Sequence, residues 1–172
     1  MKKTYNGVII LGSSRANGDT AKVVSELSGI SGYKVINLLD YKISQFDYEH
    51  TNAEDDFIPL IKQIIKNYDI LIFATPVYWY AMSGIMKSFF DRLTDLLKIE
   101  KDYGRLLKGK YMAGISCANS DNLKDAFWVP FRKSAEYLGM IYTTDLHTYE
   151  GQRNTKDLID FKNRIEEIIE NS

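Results

Sequence analysis

Thiols are all but missing from this chain. Cys117 stands alone among 172 residues, which excludes an intrachain disulfide framework. It equally excludes a zinc or iron–sulfur cluster held by several thiolates of one chain. Charge of one sign is missing too. The 22 basic and 23 acidic residues leave a net −1, so no nucleic-acid or membrane surface is implied. No apolar run suits a bilayer span: residues 70–86 come nearest, and Thr75, Pro76 and Ser83 interrupt them. The start, Met1-Lys2-Lys3, is basic, but the apolar run behind it is too short for a signal sequence. There is no repeat, linker or low-complexity segment. What remains is an ordinary globular composition, 45% hydrophobic and 26% charged, with about one domain's length over residues 1–172. The expectation is a soluble, cytoplasmic, single-domain protein with no nucleic-acid, membrane or metal partner.

The most informative stretch is Leu11 to Thr20, L-G-S-S-R-A-N-G-D-T, between an apolar strand and a helical pattern. Gly12 and Gly18 permit a sharp turn and close approach of backbone to a ligand. Free N–H groups at a helix start favour an anion. Ser13, Ser14, Asn17 and Thr20 add hydroxyl and amide groups, and Arg15 can add a charge-assisted bond. A phosphate monoester fits such a loop, although Ser, Asn and Gly also populate plain turns. A P-loop would need Gly-Lys-Ser/Thr, and Gly18 is followed by Asp19-Thr20. A dinucleotide loop would need a second glycine where Ser14 stands.

Five strands alternate with helices along the chain: residues 5–11, 33–38, 69–75, 110–116 and 140–146. The helices cover 19–29, 54–68, 83–98, 122–138 and 155–171, Pro130 either kinking the fourth or marking its true first turn. Pro76 is expected to stop the third strand. Residues 99–109 read as a charged surface loop. The stretch from Leu39 to Asn52 has no period and is long enough to suggest a function. The alternation predicts a doubly wound parallel sheet in three α/β/α layers. Strands 1, 3 and 4 are continuous apolar runs and belong in the middle; 2 and 5 carry polar residues and belong at the edges. The order that satisfies this is 2-1-3-4-5, with ligands at the switch point between strands 1 and 3.

The loop after strand 3, Thr75 to Gly84, reads T-P-V-Y-W-Y-A-M-S-G. Tyr78, Trp79 and Tyr80 would stack on an aromatic heterocycle, or else merely cover the sheet end. Together, G-S-S-R-x-N-G-x-T and T-P-V-Y-W-x-x-M-S-G-x-M-K-x-F-x-D-R resemble the flavodoxin-like NAD(P)H-dependent FMN reductases, including their iron–sulfur flavoprotein branch. The resemblance runs from Val8 through strand 5. It implies that Ser13, Ser14, Arg15, Asn17, Gly18 and Thr20 hold the FMN phosphate, and that Pro76, Val77, Tyr78, Trp79 and Tyr80 line the isoalloxazine. The loop from Cys117 to Asn122, with Ala118 and Asn119, would close on its pyrimidine end. It implies hydride transfer from NADH or NADPH through FMN to a small flat acceptor. With one open flavin face and no second nucleotide loop, ping-pong order is expected, and the aromatic surface of Tyr78 to Tyr80 points to a homodimer or higher homo-oligomer. The iron–sulfur branch carries a cysteine cluster after strand 2; this chain has none there, so electrons would pass by flavin alone.

Other residues carry blander readings. Cys117 reads as a small buried residue rather than a nucleophile. His50 and His147 show no partner, and no catalytic side chain is assigned. Phe127 and Trp128 either flank a substrate cavity or pack in the core. The same fold hosts receivers and small tyrosine phosphatases. Strand 3 lacks the terminal Asp of the first, and the first loop lacks the Cys of the second. A flavodoxin-type electron carrier is the alternative, and a flavin-sensing or structural protein a weaker one. Carriers are usually strongly acidic, which a net −1 does not match.

Overall fold

The computed structural model describes residues 4–121, 123–150, 152 and 154–172. In chain order the elements are β1 (Gly7–Leu11), α1 (Asp19–Ser31), β2 (Lys34–Asn37), α2 (Phe57–Asn67), β3 (Ile70–Tyr78), β4 (Ala81–Met82) and α3 (Gly84–Arg92). Then come α4 (Asp95–Lys98), α5 (Lys101–Arg105), β5 (Tyr111–Ala118), α6 (Val129–Tyr137), β6 (Ile141–Tyr149) and α7 (Thr155–Glu170). Five strands form one parallel sheet in the order β2-β1-β3-β5-β6, the order expected. The short β4 is additional and pairs antiparallel with the tip of β3.

The apolar runs explain the order. β1, β3 and β5 are buried on both faces, whereas β2 and β6 are partly exposed. One face carries α1 and α7, whose Val23, Val24, Leu27, Leu158, Phe161 and Ile165 pack on Ile9, Ile72 and Ile115. The other face carries α2, α3 and α6, packed on Val8, Ile10, Leu71 and Phe73. The stripe Phe57, Leu60, Ile61, Ile64 and Ile65 of α2 is buried throughout, each side chain contributing about 1.5–3 kcal/mol.

Several boundaries differ from expectation. β3 passes through Pro76 to Tyr78. The Gly12 amide bonds the Ala74 carbonyl, so Ala74, and with it Pro76, faces the β1 side. β1 ends opposite Ala74, so the missing N–H of Pro76 has no strand to serve. The third helix is broken at Leu93-Thr94, where three-residue turns replace four-residue ones. Residues 99–109 contain α5 and the buried Leu107 rather than a plain surface loop. Pro130 lies in the first turn of α6, preceded by a 3₁₀ turn, Asp125–Trp128. β6 continues past Leu146 through His147 to Tyr149.

The break in the third helix turns Arg92 inward, fully buried. Its Nη1 is 2.6 Å from Asp55 and its Nε 2.7 Å from Asp95. It also donates to the carbonyls of Ser44 and Asn52. The long segment between β2 and α2 is therefore pinned to the core by one guanidinium. His50, for which the sequence showed no partner, joins the same cluster through Asp95 at 3.1 Å. Burial pushes the Asp55 carboxyl up, but hydrogen bonds from Arg92, Ser44 and Phe57 outweigh it and leave the group below its usual value.

Two outcomes follow. Arg92→Leu strands two inward-facing carboxylates and should cost about 3–5 kcal/mol in urea unfolding. Because the folded pKa of Asp55 is depressed, its contribution is present above about pH 4 and is lost as pH falls through the lowered value. An Arg92→Leu protein of wild-type stability, with the same acid limb, would contradict both.

Candidate active site

Parallel strands deliver their loops to one end. The loops after β1, β3 and β5 meet there, where α1 leaves for one face and the chain beyond β3 for the other. Between them is a cleft of about 430 Å³. The first loop lines it with Ser13, Arg15, Gly18, Asp19 and Thr20; the second with Pro76, Val77, Tyr78, Trp79 and Tyr80; the third with Cys117, Ala118, Asn119 and Ser120. Ser14 and Asn17 are exposed and are not among the residues lining the cleft, although Ser14 meets Tyr78 of its wall. Asp19 and Ser120, not anticipated, do. Cys117 is buried and still borders the cleft, its sulfur accepting from Thr148 Oγ1 at 3.0 Å. Phe127 and Trp128 belong to the core, packed with Phe131, and take no part in the cleft wall. Asn122 lies outside the described residues.

The first loop brings Arg15 and the start of α1 to the cleft. Ser13, nearly inaccessible, accepts from the Arg15 amide through Oγ and donates to the Arg15 carbonyl, both at 3.2 Å. Gly18 is the N-cap of α1 in an extended conformation, and no side chain caps that end. The first-turn amides are therefore not consumed by a side chain, and the positive end of the helix faces the cleft. Asp19 is the one adverse charge, and Lys22 offsets it at 3.1 Å. Gly12 has a different reason to be glycine than the one expected. A Cβ there would lie 2.9 Å from Met86 Cβ and 3.2 Å from Met86 Cα. It makes room for α3.

The second loop is a two-residue hairpin. Val77 and Tyr78 pair with Met82 and Ala81, leaving Trp79 and Tyr80 at the tip with φ of 51° and 62°. Both residues are left-handed, the geometry that Asn-Gly normally supplies. Two L-residues held there cost about 1–3 kcal/mol each. The side chains gain no packing in return: Trp79 is 95% exposed and Tyr80 64%. Tyr78 reaches across the cleft to Ser14, hydroxyl to hydroxyl at 3.2 Å. An uncapped helix start and an aromatic hairpin thus share one cleft. Among the described residues no group of three or more His, Cys, Asp or Glu is arranged for a metal ion. Nor is any described helix long and apolar enough to cross a membrane.

The family described as NADPH-dependent FMN reductase matches residues 6–150. A Bacillus subtilis (strain 168) protein provisionally named NAD(P)H-dependent FMN-containing oxidoreductase YwqN is 36% identical over 98 residues, 52% of each chain. An iron–sulfur flavoprotein of Clostridioides difficile (strain 630) is 32% identical over 109 residues, 52% of this chain and 46% of that one. The chain thus spans about half the length of the curated relatives it matches. Among solved structures, the Trp repressor binding protein of Bacillus subtilis superposes with a TM-score of 0.66 at 24% identity, covering 93% of this chain and 95% of that one. That likeness is one of fold.

The hairpin strain is measurable. Trp79→Asn with Tyr80→Gly, the pair this turn favours, should raise the stability of the ligand-free protein by about 1–3 kcal/mol in thermal unfolding. Unchanged or lower stability would show that the tip is not strained.

Proposed function

The chain belongs to the NADPH-dependent FMN reductase family, and from that premise we propose that it holds FMN in this cleft and works as an oxidoreductase. A reduced nicotinamide is the electron donor, and a small flat molecule such as a quinone, azo compound, nitroaromatic or flavin is the acceptor. The observation that carries this reading is the pairing in one cleft of an uncapped helix start beside Arg15 with an exposed aromatic hairpin. A phosphate monoester suits the first, and a planar heterocycle the second.

The residues divide accordingly. Ser13, Arg15, Gly18 and Thr20, with the first amides of α1, hold the phosphate. Pro76 to Tyr80 bound the ring system, and Ala118 to Ser120 close the remaining side. Ser14 supports this through Tyr78, and Asn17 through the shape of the loop. Bound FMN would supply the hydride chemistry; the protein orients it and limits access. Residues 1–172 hold no glycine-rich dinucleotide loop for a second nucleotide site. Donor and acceptor therefore use the same open mouth in turn. A net charge of −1 offers little of the steering that an electron carrier uses, which favours the enzyme. A single thiol suits the reducing cytoplasm. Tyr78, Trp79 and Tyr80, together with Tyr48 of the long loop, leave aromatic surface in water that a second copy of the chain would cover.

Three measurements bear on this. Arg15→Ala with Thr20→Ala should weaken FMN at least tenfold and riboflavin hardly at all, each charge-assisted bond being worth about 1.5–3 kcal/mol. Equal loss for both, in flavin-fluorescence titrations, would remove phosphate from the loop. Double-reciprocal plots of rate at several nicotinamide concentrations should be parallel; intersecting lines would require a ternary complex. Light scattering at micromolar concentration should give a dimer or larger, and monomer alone would count against the covered aromatic surface.

A further inference from the structure

The third loop of the cleft starts where the Glu150 amide bonds the Ala118 carbonyl. β5 ends at Ala118, and the chain then crosses open surface at Asn119, Ser120 and Asp121. Two neighbouring side chains of β6 bear on the end of β5 and this loop from opposite faces. Thr148 donates to the Ser116 carbonyl at 3.2 Å and to the Cys117 sulfur. His147 works on the other face. Its Nδ1 is 2.8 Å from Ser116 Oγ, and its Nε2 is 3.4 Å from the Ser120 carbonyl. Tyr149 stacks on the ring at 27° between planes, which fixes its orientation.

The chemistry of these partners selects one tautomer. A carbonyl only accepts, so Nε2 must carry the proton. In the neutral ring Nδ1 then accepts, and the fully buried Ser116 hydroxyl donates to it. Serine hydroxyl, imidazole and loop carbonyl form one directed chain from the sheet interior to the cleft wall. The Ser–His pair is not a hydrolytic dyad: Ser116 is inaccessible, and it does not line the cleft.

We propose that His147 is a positioning residue that sets the cleft-side loop 118–120 by holding the Ser120 carbonyl, and that it thereby governs how tightly the ring end of a flavin is held. The second half rests on the FMN reading above; the first does not. His147 touches the loop and not the phosphate end, so its effect on FMN and riboflavin should be equal.

Amide side chains separate this from a general structural role. Glutamine can present a donor where Nε2 stands, whereas asparagine reaches only the Nδ1 position and keeps Ser116 alone. Titration of the protein with FMN and with riboflavin should give His147→Leu and His147→Asn dissociation constants raised about five- to tenfold for both ligands. His147→Gln should be close to wild type. Asparagine behaving as wild type, or a loss confined to FMN, overturns the proposal. A second readout needs no flavin. Long-range ¹H–¹⁵N spectra of the ligand-free protein at pH 8 should show His147 as the Nε2–H tautomer. The Nδ1–H form would place a lone pair against the Ser120 carbonyl and overturn the brace whether or not FMN binds. If no flavin binds the wild type, the FMN reading fails while the tautomer still decides the brace.

Discussion

Ser83 is the joint on which the cleft depends. Its Oγ donates to the Gly12 carbonyl at 2.6 Å and accepts from the Met86 amide at 3.1 Å, while its own amide donates to Thr75 Oγ1 at 2.9 Å. One residue thus ties the end of β1, the middle of β3 and the start of α3. Ser83 and Thr75 are both essentially dry. Breaking such a joint would leave buried polar groups unpaired, at about 1–3 kcal/mol each. Among the described residues no buried side-chain nitrogen or oxygen lacks a partner. The glycine at position 12 belongs to the same joint, because α3 packs where its Cβ would be.

Above this rigid base the cleft is built from parts that sacrifice stability. The helix start at Gly18 has no side-chain cap. The hairpin tip holds Trp79 and Tyr80 in a conformation both resist, with their rings in water. Asp19 puts a negative charge at that helix start, with Lys22 3.1 Å away. Uncapped amides, strain and exposed aromatic surface make no sense for the apo fold alone. They fit the proposed ligand, with a phosphate at one end and a flat ring at the other. Buried pairing elsewhere, such as Arg92 with its two carboxylates, keeps the surrounding chain in place while the cleft remains poised.

Most of the fold was legible in the sequence because hydrophobic patterning is local. Continuous apolar runs marked β1, β3 and β5 as central, and the strand order followed. The boundaries that were missed depend on neighbours. Pro76 looks like a stop until one sees that β1 has already turned away. His147 looks like a strand end until Ser116, 31 residues away, is placed opposite it. His50 and Asp95 are 45 residues apart, and Arg92 and Asp55 37, so their cluster leaves no trace in local spacing. The hairpin was hidden for another reason: Trp-Tyr carries none of the glycine or asparagine that usually announces such a turn. In the cleft, residue types were readable but orientation was not. Ser14 and Asn17 have the right chemistry but do not line the cleft, and Ser14 meets it only through the Tyr78 hydroxyl.

The identity of the bound flavin tests the central claim most directly. Purified protein is saturated with an equimolar mixture of FMN, FAD and riboflavin, freed of excess by gel filtration, and denatured, and the released flavin is separated by chromatography. A cleft with one phosphate-holding end and no dinucleotide loop predicts FMN as the single stoichiometric species. Release of FAD in equal or greater amount, or of riboflavin as readily as FMN, would contradict the account.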